Sequence, residues 1–277
     1  MAKKRKAKQV KEASRRISEE AWEEYIKRLR LLSDDAYNWV IAQLGGVDIS
    51  TLTDAQWDAF VDKLYLKLVK NGEAAAELSA ELFEYMQTSS LQNLGRVDKY
   101  GGVELFVNDD VREVYKMVYG TRKYGNPEII ADGASRIVKL SSADTMLRNA
   151  IQSGAQVAWI PHGDTCAFCL TLASRGWEDA SEAMLLRGHA EHIHANCDCT
   201  YAVRFDPYTS VEGYDPEKYY EMYRDAPGYD SQDKINAMRR AFYKENSEKI
   251  NEQKRIAYAK RKERESSEVE EVNVNSL

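Results

Sequence analysis

Ala155-Gln-Val-Ala-Trp-Ile160, Cys166-Ala-Phe-Cys169 and Cys197-Asp-Cys199-Thr-Tyr-Ala-Val-Arg-Phe205 decide how this chain is read. The first and last runs are rich in β-branched and aromatic residues and read as strands. Between them fall the four cysteines of the chain, in two tight pairs. A Cys-x-x-Cys turn aims two thiolates at one point. In an extended Cys-x-Cys, residues i and i+2 project to the same face, so Cys197 and Cys199 converge too. Four soft ligands from two separate segments are what a tetrahedral zinc ion takes. Cys166, Cys169, Cys197 and Cys199 are therefore the candidate ligands, with His194 or His192 able to replace one of them. A closed shell of this kind is structural. Such sites contribute roughly 10–16 kcal/mol in small peptides, so metal could decide whether the region folds.

Other uses of these residues fit less well. A redox Cys-x-x-Cys would not need the second pair and lacks a thioredoxin-like context. A zinc deaminase needs His-x-Glu ahead of Pro-Cys-x-x-Cys. Here His189-Ala-Glu191 follows the first pair, and Thr165 stands where proline belongs. A treble-clef nuclease would draw on His189, His192 and His194, but nothing in the spacing fixes a second metal. Four buried free cysteines are the plainest alternative.

Working outward, the fold class expected is α+β and mainly helical. Residues 1–17 read as a disordered basic arm, with Lys3, Lys4, Arg5, Lys6, Lys8, Lys11, Arg15 and Arg16 against one acid, Glu12. Residues 18–141 read as a helical region. Ser18 caps its first helix, and Ser33-Asp34-Asp35 is a possible break before Gly45-Gly46 ends the run. Thr53-Asp-Ala-Gln56 is a capping box that opens a second helix. A third is expected from about Glu73 to Gln87, another over Val111–Gly120, and another over Ser142–Ser153 with Gly154 as its stop. Residues 142–206 hold the cysteine region and its small sheet. Residues 207–277 form a Tyr-rich segment and a charged tail, with a long last helix capped by Asp230 and faced by Ile235, Met238 and Phe242.

The net charge of -6 excludes a wholly basic nucleic-acid coat. It conceals a basic start, a basic stretch over Lys254–Arg264 and an acidic end at Glu268, Glu270 and Glu271. The arm suits salt-sensitive, sequence-independent DNA binding or an acidic protein surface. It has no aromatics for base stacking. No apolar run approaches the roughly 20 residues of a membrane span, and the basic start leads into no secretory signal. A reducing cytosol is therefore expected, which favours metal over disulfides. Neither a phosphate-binding Gly-x-x-x-x-Gly-Lys loop nor a Gly-x-Ser-x-Gly elbow occurs.

The block from Trp159 to Phe205 resembles the phage Mu F-like (MuF) minor head proteins of tailed bacteriophages. The pattern is Asp164, Cys166, Cys169, Gly176, then His194-Ala-Asn-Cys-Asp-Cys199 leading into Thr200-Tyr-Ala-Val. The usual family form is His-Pro-Asn-Cys-Arg-Cys, so Ala195 replaces the proline and Asp198 the arginine. The resemblance covers under a fifth of the chain. It implies a non-enzymatic minor capsid protein, present in the virion head interior and in host cytoplasm before assembly. Portal and capsid proteins would be its partners, with packaged DNA a further one through the basic arm. Its role would lie in head morphogenesis or genome packaging and delivery.

Overall fold

In a computed structural model of the chain, the described residues are 16–93, 102–162, 165–186 and 197–245, with 247, 251, 252 and 255 as further helical positions. The arm from Lys3 to Arg15, the stretch holding His189 to His194, and the tail after 255 lie outside them. Among the described residues there are eight α-helices and five short strands, a mainly helical α+β fold as the sequence predicts.

β1 (Arg16–Ile17) leads into α1 (Glu19–Leu44), whose first turn is held by Ser18 Oγ accepting from the Ala21 amide at 3.2 Å. Ser33-Asp34-Asp35 does not break this helix. Ser33 is fully buried and turns its hydroxyl back onto the Arg30 carbonyl at 2.9 Å. Asp35 instead meets Lys67 and Asn71 of the next helix. That next helix, α2 (Asp54–Asn93), opens with the expected reciprocal cap between Thr53 and Gln56. It runs unbroken for 40 residues, where two helices were expected. Asn71 and Gly72 look like a break in sequence but are an inter-helix contact. Asn71 Nδ2 donates to the Leu32 carbonyl at 2.8 Å, and Gly72 lets a neighbour come close.

α3 (Val111–Thr121) passes through Gly120 rather than ending there, and a 3-10 turn over Arg122–Tyr124 closes on Gly125 in the left-handed region. α4 (Pro127–Ser153) is the centre of the molecule. It begins at Asn126-Pro127, a side-chain cap followed by proline in the first turn, and ends at Gly154 with φ 66°. It is more than twice the length expected, because its first half buries Ser135 and Lys139 among its apolar residues and is covered on several sides, so no single apolar stripe marks it. α1 and α2 pack along it. Tyr25, Ser79 and Ser142, one from each of the three helices, meet in a buried hydroxyl cluster at 2.7–3.1 Å. An extended strap over 103–110 also runs along α4. The amides of Glu104, Phe106 and Asn108 donate in turn to Asn149, Thr145 and Ser141. These acceptors are four residues apart, so a helix face here presents its side chains as a strand edge would.

β2 (Gln156–Ile160), β3 (Glu178–Asp179) and β4 (Thr200–Arg204) form an antiparallel sheet in the order β3-β2-β4. The two strands read from sequence do pair, from Gln156 opposite Arg204 to Ile160 opposite Thr200. The sheet packs on α2 and α4, and Phe205 meets Phe83 edge-on. β5 (Ser210–Val211) pairs parallel to β1, so Arg16 and Ile17, counted with the arm from sequence, form a strand with Ile17 buried. Burying Ile17 beside Val211 is the apolar gain that ties this end down.

α5 (Ala167–Ala173) follows Cys166, and α6 (Glu182–Leu186) follows β3. α7 (Pro216–Asp225) and α8 (Ser231–Glu245) follow one another, and the main contacts of each are with α5. Asp230 accepts from the Asp233 amide at the start of α8 as expected. Its buried face is narrower than the sequence suggests. Ile235 and Ala237 are buried, while Phe242 is 46% exposed. One continuous core runs from Ile17 through the three long helices to Cys169, Cys197, Cys199 and Val211, so helical region and cysteine region share an interior.

Candidate metal centre

Antiparallel pairing sets the end of β2 beside the start of β4, because Ile160 lies opposite Thr200. Cys166 and Cys169 come just after the first, and Cys197 and Cys199 just before the second. The strand register thus draws together pairs that are far apart in sequence. Cys166 starts α5 and Cys169 lies in its first turn, with the Leu170 amide bonded to the Cys166 carbonyl at 3.0 Å. Cys197 and Cys199 are buried, as is Cys169. All four are free thiols.

The sulfurs of Cys169, Cys197 and Cys199 all lie within 4.8 Å of one another, close enough to share a metal ion. Cys169 and Cys197 are 3.4 Å apart. Cys166, half-buried, is not one of this mutually close set; its thiol bears on that of Cys169. Bonds of about 2.3 Å to tetrahedral zinc separate sulfurs by about 3.8 Å, so the three close sulfurs fit that ion with small adjustments, and Cys166 would have to move in to complete a four-thiolate shell. His194, the alternative ligand, lies outside the described residues, as do Asp164, His189, Glu191 and His192, on which the deaminase and nuclease readings depend.

The thiols disfavour ionisation by themselves. Hydrogen bonds with Cys166, Cys197 and Cys199, and then burial, push the Cys169 thiol far above its usual range. The bond with Cys169 pulls Cys199 down, but Cys197 and burial together lift it to about 12. A backbone N–H from His162 also favours the Cys199 thiolate. Packed thiols that raise one another are what a cation at their centre reverses, because a coordinating thiol gives up its proton.

Two residues that sequence reasoning passed over, acting with Asp198, hold the second pair in place. Lys139, on α4 and 6% exposed, donates to the Cys197 carbonyl at 2.9 Å and to Asp198 Oδ1 at 3.2 Å. Arg30, on α1, donates through Nε to Asp198 Oδ2 at 3.1 Å and also through Nη2. Asp198, the departure from the MuF pattern, is thus the carboxylate that fastens the Cys-x-Cys turn to two helices. The only signal in sequence was that departure itself; a lysine and an arginine in helices read as solvent-facing.

No helix among the described residues is long and apolar enough to cross a membrane. No curated protein and no solved structure matches the chain. A family profile described as VG15 protein matches residues 16–226, from β1 through α7 and across all four cysteines, and the chain therefore belongs to the VG15 family.

Proposed function

We propose that this protein is a minor head protein of a tailed phage, acting without catalysis in head morphogenesis or genome packaging and delivery. Its family membership supports phage origin. The observation that carries the reading further is the convergence of the sulfurs of Cys169, Cys197 and Cys199, with Cys166 beside them, within the stretch that resembles the MuF proteins. On this reading Cys166, Cys169, Cys197 and Cys199 hold structural zinc, with His194 as the alternative to one of them. When bound, the ion supplies a cross-link and the charge that keeps four thiolates together in a buried place. The residues around it do the rest. β2 and β4 set the spacing, α5 presents two sulfurs, and Lys139 with Arg30 and Asp198 fixes the turn that presents the other two. The protein sits in the head interior against portal and capsid proteins, and in host cytoplasm before assembly. Its basic arm, Lys3, Lys4, Arg5, Lys6, Lys8, Lys11, Arg15 and Arg16, meets packaged DNA or an acidic partner surface.

Two measurements test this. Purified chain is expected to carry about one zinc, and Cys197→Ser to carry little. Heads purified from a lysate of the encoding phage are expected to contain the protein by mass spectrometry, at low copy relative to capsid subunit. Its absence from both empty and filled heads sinks the head assignment, whatever the zinc content.

A further inference from the structure

We propose that Lys139 is a positioning residue for the metal centre, orienting the Cys197-Asp198-Cys199 turn and balancing its charge; the inference rests on the zinc reading above. Lys139 lies in the middle of α4, with its ammonium enclosed and 6% of the side chain exposed. Burying an ammonium is costly unless its protons and charge are matched. They are met here by the backbone carbonyl of Cys197 at 2.9 Å and the carboxylate of Asp198 at 3.2 Å. The first bond fixes the main chain of a candidate ligand, and with it the direction of the Cys197 sulfur. The second fixes the residue between Cys197 and Cys199. Arg30 grips the other oxygen of the same carboxylate, so two positive side chains from two helices bear on a three-residue turn.

A zinc ion with four thiolates carries a net charge of about -2. Enclosing that charge needs positive groups nearby, and α4 and α1 place two there, one of whose charges Asp198 offsets. Groups that orient metal ligands in this way usually matter to metal affinity about 10–100-fold. The same contacts dock the cysteine turn on the helical core, so metal retention and docking depend on one side chain.

The test uses the full chain loaded with zinc and challenged by a graded chelator. Lys139→Gln keeps a donor for the Cys197 carbonyl but removes the charge, and is expected to release zinc at about tenfold lower chelator. Lys139→Arg restores the charge and is expected to recover retention to within about threefold of wild type. Thermal unfolding of metal-stripped protein is the control. A purely structural role lowers the stripped and loaded forms alike and leaves zinc retention unchanged, and that result overturns the inference. If Lys139→Gln does not fold, Arg30→Gln gives the answer from a half-exposed site. A loss of about threefold is expected there, and unchanged retention overturns the inference. Wild-type chain that binds no zinc at all overturns the metal reading and this inference together. Zinc held equally by wild type and Lys139→Gln overturns this inference alone.

Discussion

A Cβ built on Gly72 would lie 2.9 Å from Ser141 Oγ and 3.2 Å from Val107 Cγ1. Gly72 is in the interior of α2, where alanine ordinarily gains about 1 kcal/mol over glycine. Here the added carbon pushes on the hydroxyl that accepts from the Asn108 amide and so holds the strap to α4. Overpacking costs of about 1–3 kcal/mol outweigh the propensity gain. Gly72→Ala is thus expected to destabilise the protein by about 1 kcal/mol, read as a lower urea midpoint with an unchanged slope. A higher midpoint would mean that α2 and α4 separate freely and that the contact is slack. At this scale the cysteines were legible in sequence, because paired thiols have few other reasons to be so spaced. Lys139 and Arg30 were not. What distinguishes them is a partner far away in the chain, and Asp198 reveals it only once α1, α4 and the turn are side by side.

α4 shows why whole elements escaped the reading. Ser135, Lys139, Ser141, Ser142, Thr145 and Asn149 are all buried on it, so neither polarity nor a 3.6-residue stripe marks its face. Ser141, Thr145 and Asn149 are matched by the strap, Ser142 by Tyr25 and Lys139 by the cysteine turn, none of which adjoins the helix in sequence. β2 and β4 were legible because short runs of β-branched and aromatic residues beside turn residues are local signals. α5 has a consequence of its own. It has only seven residues, yet α7 and α8 both rest mainly on it, and Tyr214 OH donates to its Ala173 carbonyl at 2.8 Å. Ile235 and Ala237, the buried residues of α8, lie outside the continuous core. α7 and α8 are thus anchored through a helix that reaches the core by Cys169, by Leu172 and by its contact with β2. Stripping metal, or replacing Cys169 with Ala, is expected to raise amide exchange over 216–245 while α1 and α4 stay protected. The idea fails if α7 and α8 keep their protection after either change, or if they open together with α1 and α4.

The charge of the molecule is divided as sharply as its packing. The first sixteen residues carry eight Lys/Arg and one acid, a net +7, which leaves -13 on the remainder of a chain whose total is -6. An acidic body repels a phosphate backbone, so any affinity for DNA must come from the arm or from another local basic stretch. The fold fixes where the arm departs. Ile17 is buried in β1 against β5, and Ser18 caps α1, so residues before Arg16 leave from the β1–β5 pair. Removing 1–15 spares that pair, and thermal stability is expected to hold within about 0.5 kcal/mol, the range of surface changes. Seven of the eight cations go with it. If all seven engage phosphates, the log–log salt slope on duplex DNA is about -6, and affinity falls roughly 10³–10⁴-fold between 50 and 200 mM salt. The truncated chain is expected to show no retention of duplex DNA at the lower salt. Retention that survives the truncation would move the DNA contact off the arm, to a surface that overcomes the charge of the acidic body. Full-length binding that ignores salt would remove counterion release as its cause, because neutralised phosphates must reclaim their ions as salt is added.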